Sequence, residues 1–148
     1  MADRTTSSIV IGVPRKDVMA VIADFAEYPL WASAVRATEV LSADAGRPSR
    51  VRFTLDAGVI KDSYVLGYDW DDDTRVRWDL AEAGSVISEM TGEYDLADRG
   101  DDTEVRYELA VGIRVPMPGM LKRRASKAII DTALKGLKSR AETIGRHR

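Results

Sequence analysis

From residue 35 to residue 113 the chain alternates apolar and polar side chains almost without a break. The runs "RVRFTL", "DSYVLGYDW", "TRVRWDL", "SVISEMTGEYDL" and "TEVRYELAVGI" put every second residue on one face, the period of a strand with one buried side. Connectors rich in Gly and Asp punctuate them: "SADAGRPS", "DAG" at 56–58, "DDDT" at 71–74, "EAG" at 82–84 and "DRGDD" at 98–102. Links this short join successive strands as antiparallel hairpins. The inward faces read Val51, Phe53 and Leu55; Tyr64, Leu66, Tyr68 and Trp70; Val76, Trp78 and Leu80; Met90, Tyr94 and Leu96; Val105, Tyr107, Leu109 and Val111. Arg75, Arg77, Asp79, Glu93, Asp95, Arg106 and Glu108 then face water. In residues 62–70, Val65 and Gly67 blur the alternation.

The flanks of this meander follow other rules. "TTSSIVIGV" is a β-branched run that reads as a first strand over residues 5–13. Pro14 opens a helix, because its fixed φ and missing N–H are tolerated at a helix start. Val18, Val21, Ile22 and Phe25 recur at helical spacing along it. In "EYPLWASAV", Pro29 interrupts, and a second helical turn is expected around residues 30–34. After the last strand, Pro116 and Pro118 end the sheet and a long helix runs to about residue 145. One long helix and one meander must bury their apolar faces against each other. The expected fold is α+β: a curved antiparallel sheet of about seven strands, in the order β-α-α-β6-α, wrapped around the C-terminal helix. At 148 residues, one domain spanning 1–148 is expected.

The long helix changes character along its length. Ile130, Ala133, Leu134, Leu137, Ala141 and Ile144 form one stripe at 100° per residue. Extended backward, the stripe meets Ser126, Arg123 and Gly119 instead of aliphatic residues. Lys122, Arg123 and Arg124 also place cations at a helix N-terminus, where they are unfavourable by roughly 0.3–1 kcal/mol each. An Arg on the core-facing line is costly in a packed interior unless paired. Two placements avoid that cost: Arg123 faces a hydrated cavity mouth and clamps an anionic ligand group, or its stem snorkels to a carboxylate.

Charge is uneven. Residues 119–148 carry nine Lys/Arg against two acids, whereas residues 1–118 carry 13 against 22. The bland reading is a basic helix lying on an acidic body, and such a body repels nucleic acid. With no Cys, there is no disulfide, thiolate nucleophile or thiolate zinc site. The only His, His147, is penultimate, which leaves no nucleophilic triad and no His-based metal site. No phosphate-binding glycine loop occurs, and "DWDDD" lacks the spacing of a calcium loop and reads as a hairpin turn. No cofactor and no metal are expected. No apolar run approaches the ~20 residues of a membrane span and the N-terminus has no secretory core, so a soluble, cytoplasmic protein is expected.

The segment "DFAEYPLWASAV" resembles the Asp…Tyr-Pro-x-Trp stretch of START-like, Bet v 1-like helix-grip proteins, the SRPBCC superfamily. "GEYDL…DDTEVRYELAVGI", the proline bridge and "ALKGLKSRAE" are similar to bacterial members of the polyketide cyclase/dehydrase type, and the resemblance covers residues 5–142. It implies a seven-stranded sheet gripping the last helix with an apolar cavity between them. Family members bind lipids, sterols or polyketides there, and only some are catalysts.

The inward list is rich in aromatics with polar tips, which suit a cavity wall, although they also serve to fill the space under a curled sheet. Trp31, Tyr64, Tyr68, Trp78, Met90, Tyr94, Tyr107, Met117, Met120 and Arg123 are the ligand-binding candidates. Trp31 also reads as a structural wedge. Met117 and Met120, set among Pro116, Pro118 and Gly119, read as an adaptable apolar rim, and with "KRR" behind it such a rim permits at most transient membrane contact. The leading expectation is a binding protein for a small hydrophobic molecule, monomeric or homodimeric. The alternative is a cyclase or dehydrase without metal or nucleotide cofactor, using Arg123 with Tyr107 or Tyr64. In that case Tyr, Arg, Ser or a carboxylate such as Asp62 relays the proton.

Overall fold

A computed structural model describes residues 3–146 except Val59 and Val115. The elements follow as β1 (Asp3–Ile11), α1 (Arg15–Ala23), a 3-10 turn (Phe25–Glu27), α2 (Tyr28–Trp31), β2 (Val35–Asp44), β3 (Arg47–Asp56), β4 (Lys61–Asp71), β5 (Arg75–Glu82), β6 (Ile87–Arg99), β7 (Asp102–Ile113) and α3 (Gly119–Arg146). The expected element order holds. All neighbours in the seven-stranded sheet are antiparallel, in the order β1-β7-β6-β5-β4-β3-β2. The chain thus closes its meander beside its own first strand.

Two boundaries differ from the sequence expectation, and one blurred strand pattern finds its local reason. β1 ends at Ile11, two residues early. The second helix begins at Tyr28, because Pro29 occupies its first turn, where a missing N–H is harmless, instead of interrupting it. The blurred alternation of β4 is a register shift between Val65 and Leu66, which leaves both side chains buried. Turn chemistry is as expected where φ is positive: Ala45 and Gly46 at 51° and 82° make the two-residue link from β2 to β3. The acidic turn 71–74 is held by Arg47, whose guanidinium bonds the Asp72 carbonyl and the Asp73 carboxylate and lies 5.1 Å over the Trp70 ring.

The core lies between the concave face and the helices. Ile11, Val18, Ile22, Val51, Val76, Val105, Ile130 and Leu137 are completely buried. Lys138 donates to the Val10 carbonyl and to Glu142, and Glu142 accepts the Gly12 N–H at 2.8 Å, so α3 is tied to the end of β1. The convex face carries an ion-pair ladder, including Arg77–Glu93 at 3.0 Å and Arg4–Glu108 at 3.1 Å. Among the described residues, no helix is long and apolar enough to cross a membrane.

Candidate ligand cavity

Alternation brings the inward aromatics of four strands to one place. Tyr64 and Tyr68 come from β4, Trp78 from β5, Tyr94 from β6 and Tyr107 from β7. Register sets Tyr94 opposite Tyr107 and Tyr68 opposite Trp78, so their rings meet with centroids 4.5 and 5.7 Å apart. Trp78 lies over Gly92, its partner on β6, where an added Cβ would come within 2.2 Å of the indole. Gly92 is therefore what lets the tryptophan lie flat there.

A cavity opens among these rings, under β3–β7 and beside α2 and α3. Its walls include Trp31, Phe53, Tyr64, Leu66, Tyr68, Trp78, Met90, Tyr94, Tyr107, Leu109, Ile129, Thr132 and Ala133. The space open to a water molecule is about 70 Å3; all atom-free space, including the mouth out to open solvent, is about 640 Å3. Ligand pockets commonly span about 300–1,000 Å3, and a dry cavity of about 150 Å3 holds benzene. The inner chamber is thus narrow, and a lipid-sized guest requires its walls to part.

Trp31 reaches the cavity because α2 is pressed onto α3. A Cβ on Gly136 would sit 1.7 Å from the Trp31 carbonyl oxygen, a contact only glycine permits. Tyr28 anchors the same turn: its hydroxyl donates to the Ile22 carbonyl at 2.5 Å, and its ring packs 4.6 Å from that of Trp31. Gly136 and Tyr28 were not among the sequence candidates, and no local pattern marks Gly136, because its reason is a contact across the fold.

Polar atoms in the walls are sparsely paired. The Trp31 Nε1 is buried without a hydrogen-bond partner among the described residues, whereas the Trp70 Nε1, outside the cavity, donates to the Pro48 carbonyl at 2.7 Å. Among the described residues, no group hydrogen-bonds the hydroxyls of Tyr64, Tyr68, Tyr94 or Tyr107. Burial pushes the phenol pKa of each of these four, and of Tyr28, above the ordinary range, and neighbouring tyrosines add to the effect for all but Tyr107. They remain neutral phenols, able to donate hydrogen bonds and poorly suited to accept a proton. None of the described wall residues is charged.

Seven of the ten ligand-binding candidates therefore line the cavity: Trp31, Tyr64, Tyr68, Trp78, Met90, Tyr94 and Tyr107. Met117, Met120 and Arg123 do not. Met120 is 65% exposed, Met117 is half-buried, and the exposed Arg123 folds back so that its Nη1 lies 3.2 Å from where a Gly119 Cβ would be. The helical stripe breaks there because the first turns of α3 stand in solvent, with burial resuming at Ala125 and Ser126. The helix start is thus largely exposed, where the cost of its cations is screened. His147 lies outside the described residues.

Asp62 is also displaced from its expected place. Its carboxylate accepts the backbone N–H groups of Ser63, Ser85, Val86 and Ile87 at 2.8–3.0 Å. It clamps the loop between β5 and β6 and is not a cavity wall. Partial burial raises its pKa, but the four N–H groups outweigh that and hold it below the usual aspartate range.

Residues 2–142 match the family model described as polyketide cyclase / dehydrase and lipid transport. The chain belongs to that family. This polyketide cyclase/dehydrase-family protein shares its helix-grip fold with solved proteins that include a START superfamily member. A START superfamily protein from Mycobacterium smegmatis superposes with a TM-score of 0.86 at 17% identity, over 95% of this chain and 98% of the other. The Zhui aromatase/cyclase from Streptomyces sp. R1128 gives 0.81 at 16% identity, over 96% and 94%. A protein from Thermus thermophilus gives 0.81 at 22% identity, over 96% and 99%. These likenesses establish the fold. No curated protein matches the chain.

Proposed function

We propose that this family member binds a small hydrophobic molecule in the cavity between the sheet and α3. One observation carries the reading: an apolar, uncharged wall that encloses a space of its own and buries the Trp31 N–H without a partner among the described residues. A packed core avoids such groups, because each unpaired buried donor costs about 1–3 kcal/mol. The alternative of a cyclase or dehydrase lacks support in the same walls. Arg123 is outside the cavity, Asp62 is engaged in its clamp, and the raised phenol pKa values of Tyr64 and Tyr107 leave no base at neutral pH.

The test is displacement of solvent by an uncharged fluorescent probe, N-phenyl-1-naphthylamine. Wild type is expected to bind it saturably. Ala133→Phe, which fills the chamber from α3 at a stability cost of about 1–3 kcal/mol, is expected to abolish binding while circular dichroism stays native. Equal binding by a folded Ala133→Phe variant would place the probe elsewhere and refute the reading.

A further inference from the structure

The described cavity walls contain no charge, so they offer nothing to offset the desolvation of an ionic ligand. They do contain donors. Tyr64, Tyr94 and Tyr107 are 4–7% exposed and their hydroxyls meet no partner among the described residues, while Trp31, 6% exposed, holds an indole N–H that can only donate. The wall's other hydroxyls belong to Tyr28, already bonded to the Ile22 carbonyl, and to Ser33, Tyr68 and Thr132; the remainder is mostly aromatic and aliphatic carbon. A hydrocarbon guest leaves every one of these donors unpaired, and an anionic guest loses its hydration without meeting a cation. A neutral guest with an oxygen acceptor avoids both costs.

We infer that the cavity selects an uncharged ligand bearing a carbonyl-type acceptor, recognised by the hydroxyls of Tyr94 and Tyr107 and by the Trp31 indole N–H. Tyr94 and Tyr107 face each other across the β6–β7 register, which brings their phenol rings together in one wall. Trp31 approaches from α2. Its N–H is buried in the narrow inner chamber, so its hydrogen bond forms as the walls part around a guest. The same arrangement disfavours fatty-acid carboxylates and phosphorylated head groups inside the chamber. This inference rests on the cavity-binding reading and specifies its ligand chemistry.

Three probes of similar shape separate the possibilities: acetophenone, its exomethylene isostere α-methylstyrene, and the anion benzoate. Acetophenone is expected to bind wild type about five- to tenfold more tightly than α-methylstyrene, the effect of one well-made hydrogen bond, with benzoate weakest. The Tyr94→Phe/Tyr107→Phe double variant removes hydroxyls that hold no described part of the fold, so it is expected to fold and to lose most of the preference for acetophenone over α-methylstyrene. In wild type, acetophenone is expected to move the indole N–H resonance of Trp31 and leave that of Trp70, already bonded to Pro48, in place. Equal affinities for acetophenone and α-methylstyrene, or benzoate binding as tightly as acetophenone, would overturn the inference while leaving the cavity reading intact. Failure of all three probes and of N-phenyl-1-naphthylamine would overturn both.

Discussion

Around Leu137 the interior is aliphatic and solid, whereas around Ala133, one turn earlier on α3, it is aromatic and hollow. At the first end α3 lies against β1 and α1, and Ile11, Val18, Ile22, Leu137 and Ala141 are 0–1% exposed with none of them bordering the cavity. At the second, rigid rings from β4 to β7 meet Ala133 and Thr132 and leave a chamber with unpaired polar tips. Branched aliphatic side chains interdigitate to crystal-like density, but flat rings of fixed shape do so less readily. The contrast teaches a division of labour: one end of the grip packs the fold together, and the other leaves space beside polar tips without partners among the described residues.

The largest effect is expected at the solid end. Leu137→Ala leaves a void where nothing else fills it and is expected to cost about 2–5 kcal/mol in denaturant unfolding. Its N-phenyl-1-naphthylamine affinity, measured on the folded fraction, is expected to stay that of wild type. A drop in affinity with little loss of stability would erase the division between the two ends.

The hollow end is tested by alkali. All five tyrosines of the chain have raised pKa values, with burial the main cause in each. A raised folded pKa contributes stability that is complete below the unfolded value near pH ~10 and is lost as pH rises beyond it. Tyrosinate absorbance is therefore expected to appear only together with global unfolding. Early titration of several phenols in a still-folded protein would mean that the chamber is open to bulk solvent.

Asp62 gives a smaller effect with the opposite pH sign. Its folded pKa is depressed, so its contribution is present above the ordinary aspartate pKa near ~3.9 and disappears as pH falls through the lower folded value. Asp62→Asn is expected to cost about 1–3 kcal/mol near neutral pH and to flatten the acid limb of the stability profile. An unchanged acid limb would remove the clamp. Smallest of all, Arg123→Ala is expected to change stability by no more than about 0.5 kcal/mol and probe affinity not at all. A marked loss of binding would return Arg123 to the cavity.

Legibility in the sequence followed the range of the physics. The strand faces were readable wherever period-two alternation was clean, as in β5, because the pleat imposes it locally; in β4 a register shift broke the period at Val65, and the pattern blurred with it. The same local rule identified Tyr64, Tyr68, Trp78, Tyr94 and Tyr107 as a common wall. Arg123 was left with two placements because helical phase says which way a residue points and nothing about whether a surface lies opposite. Gly136, Gly92 and the Asp62 clamp depend on contacts between segments distant in sequence, and no spacing rule encodes those. The orphan donor of Trp31 is of the same kind, since its lack of a partner among the described residues is a property of the assembled walls.

The central claim, that only the aromatic end is hollow, is tested most directly by pressurising crystals of the wild-type protein with xenon, an atom that settles in dry apolar cavities. The account predicts a xenon site bounded by Tyr64, Tyr94, Tyr107 and Ala133, and none beside Leu137. Xenon absent from the aromatic chamber, or bound among Ile11, Val18 and Leu137, would contradict it.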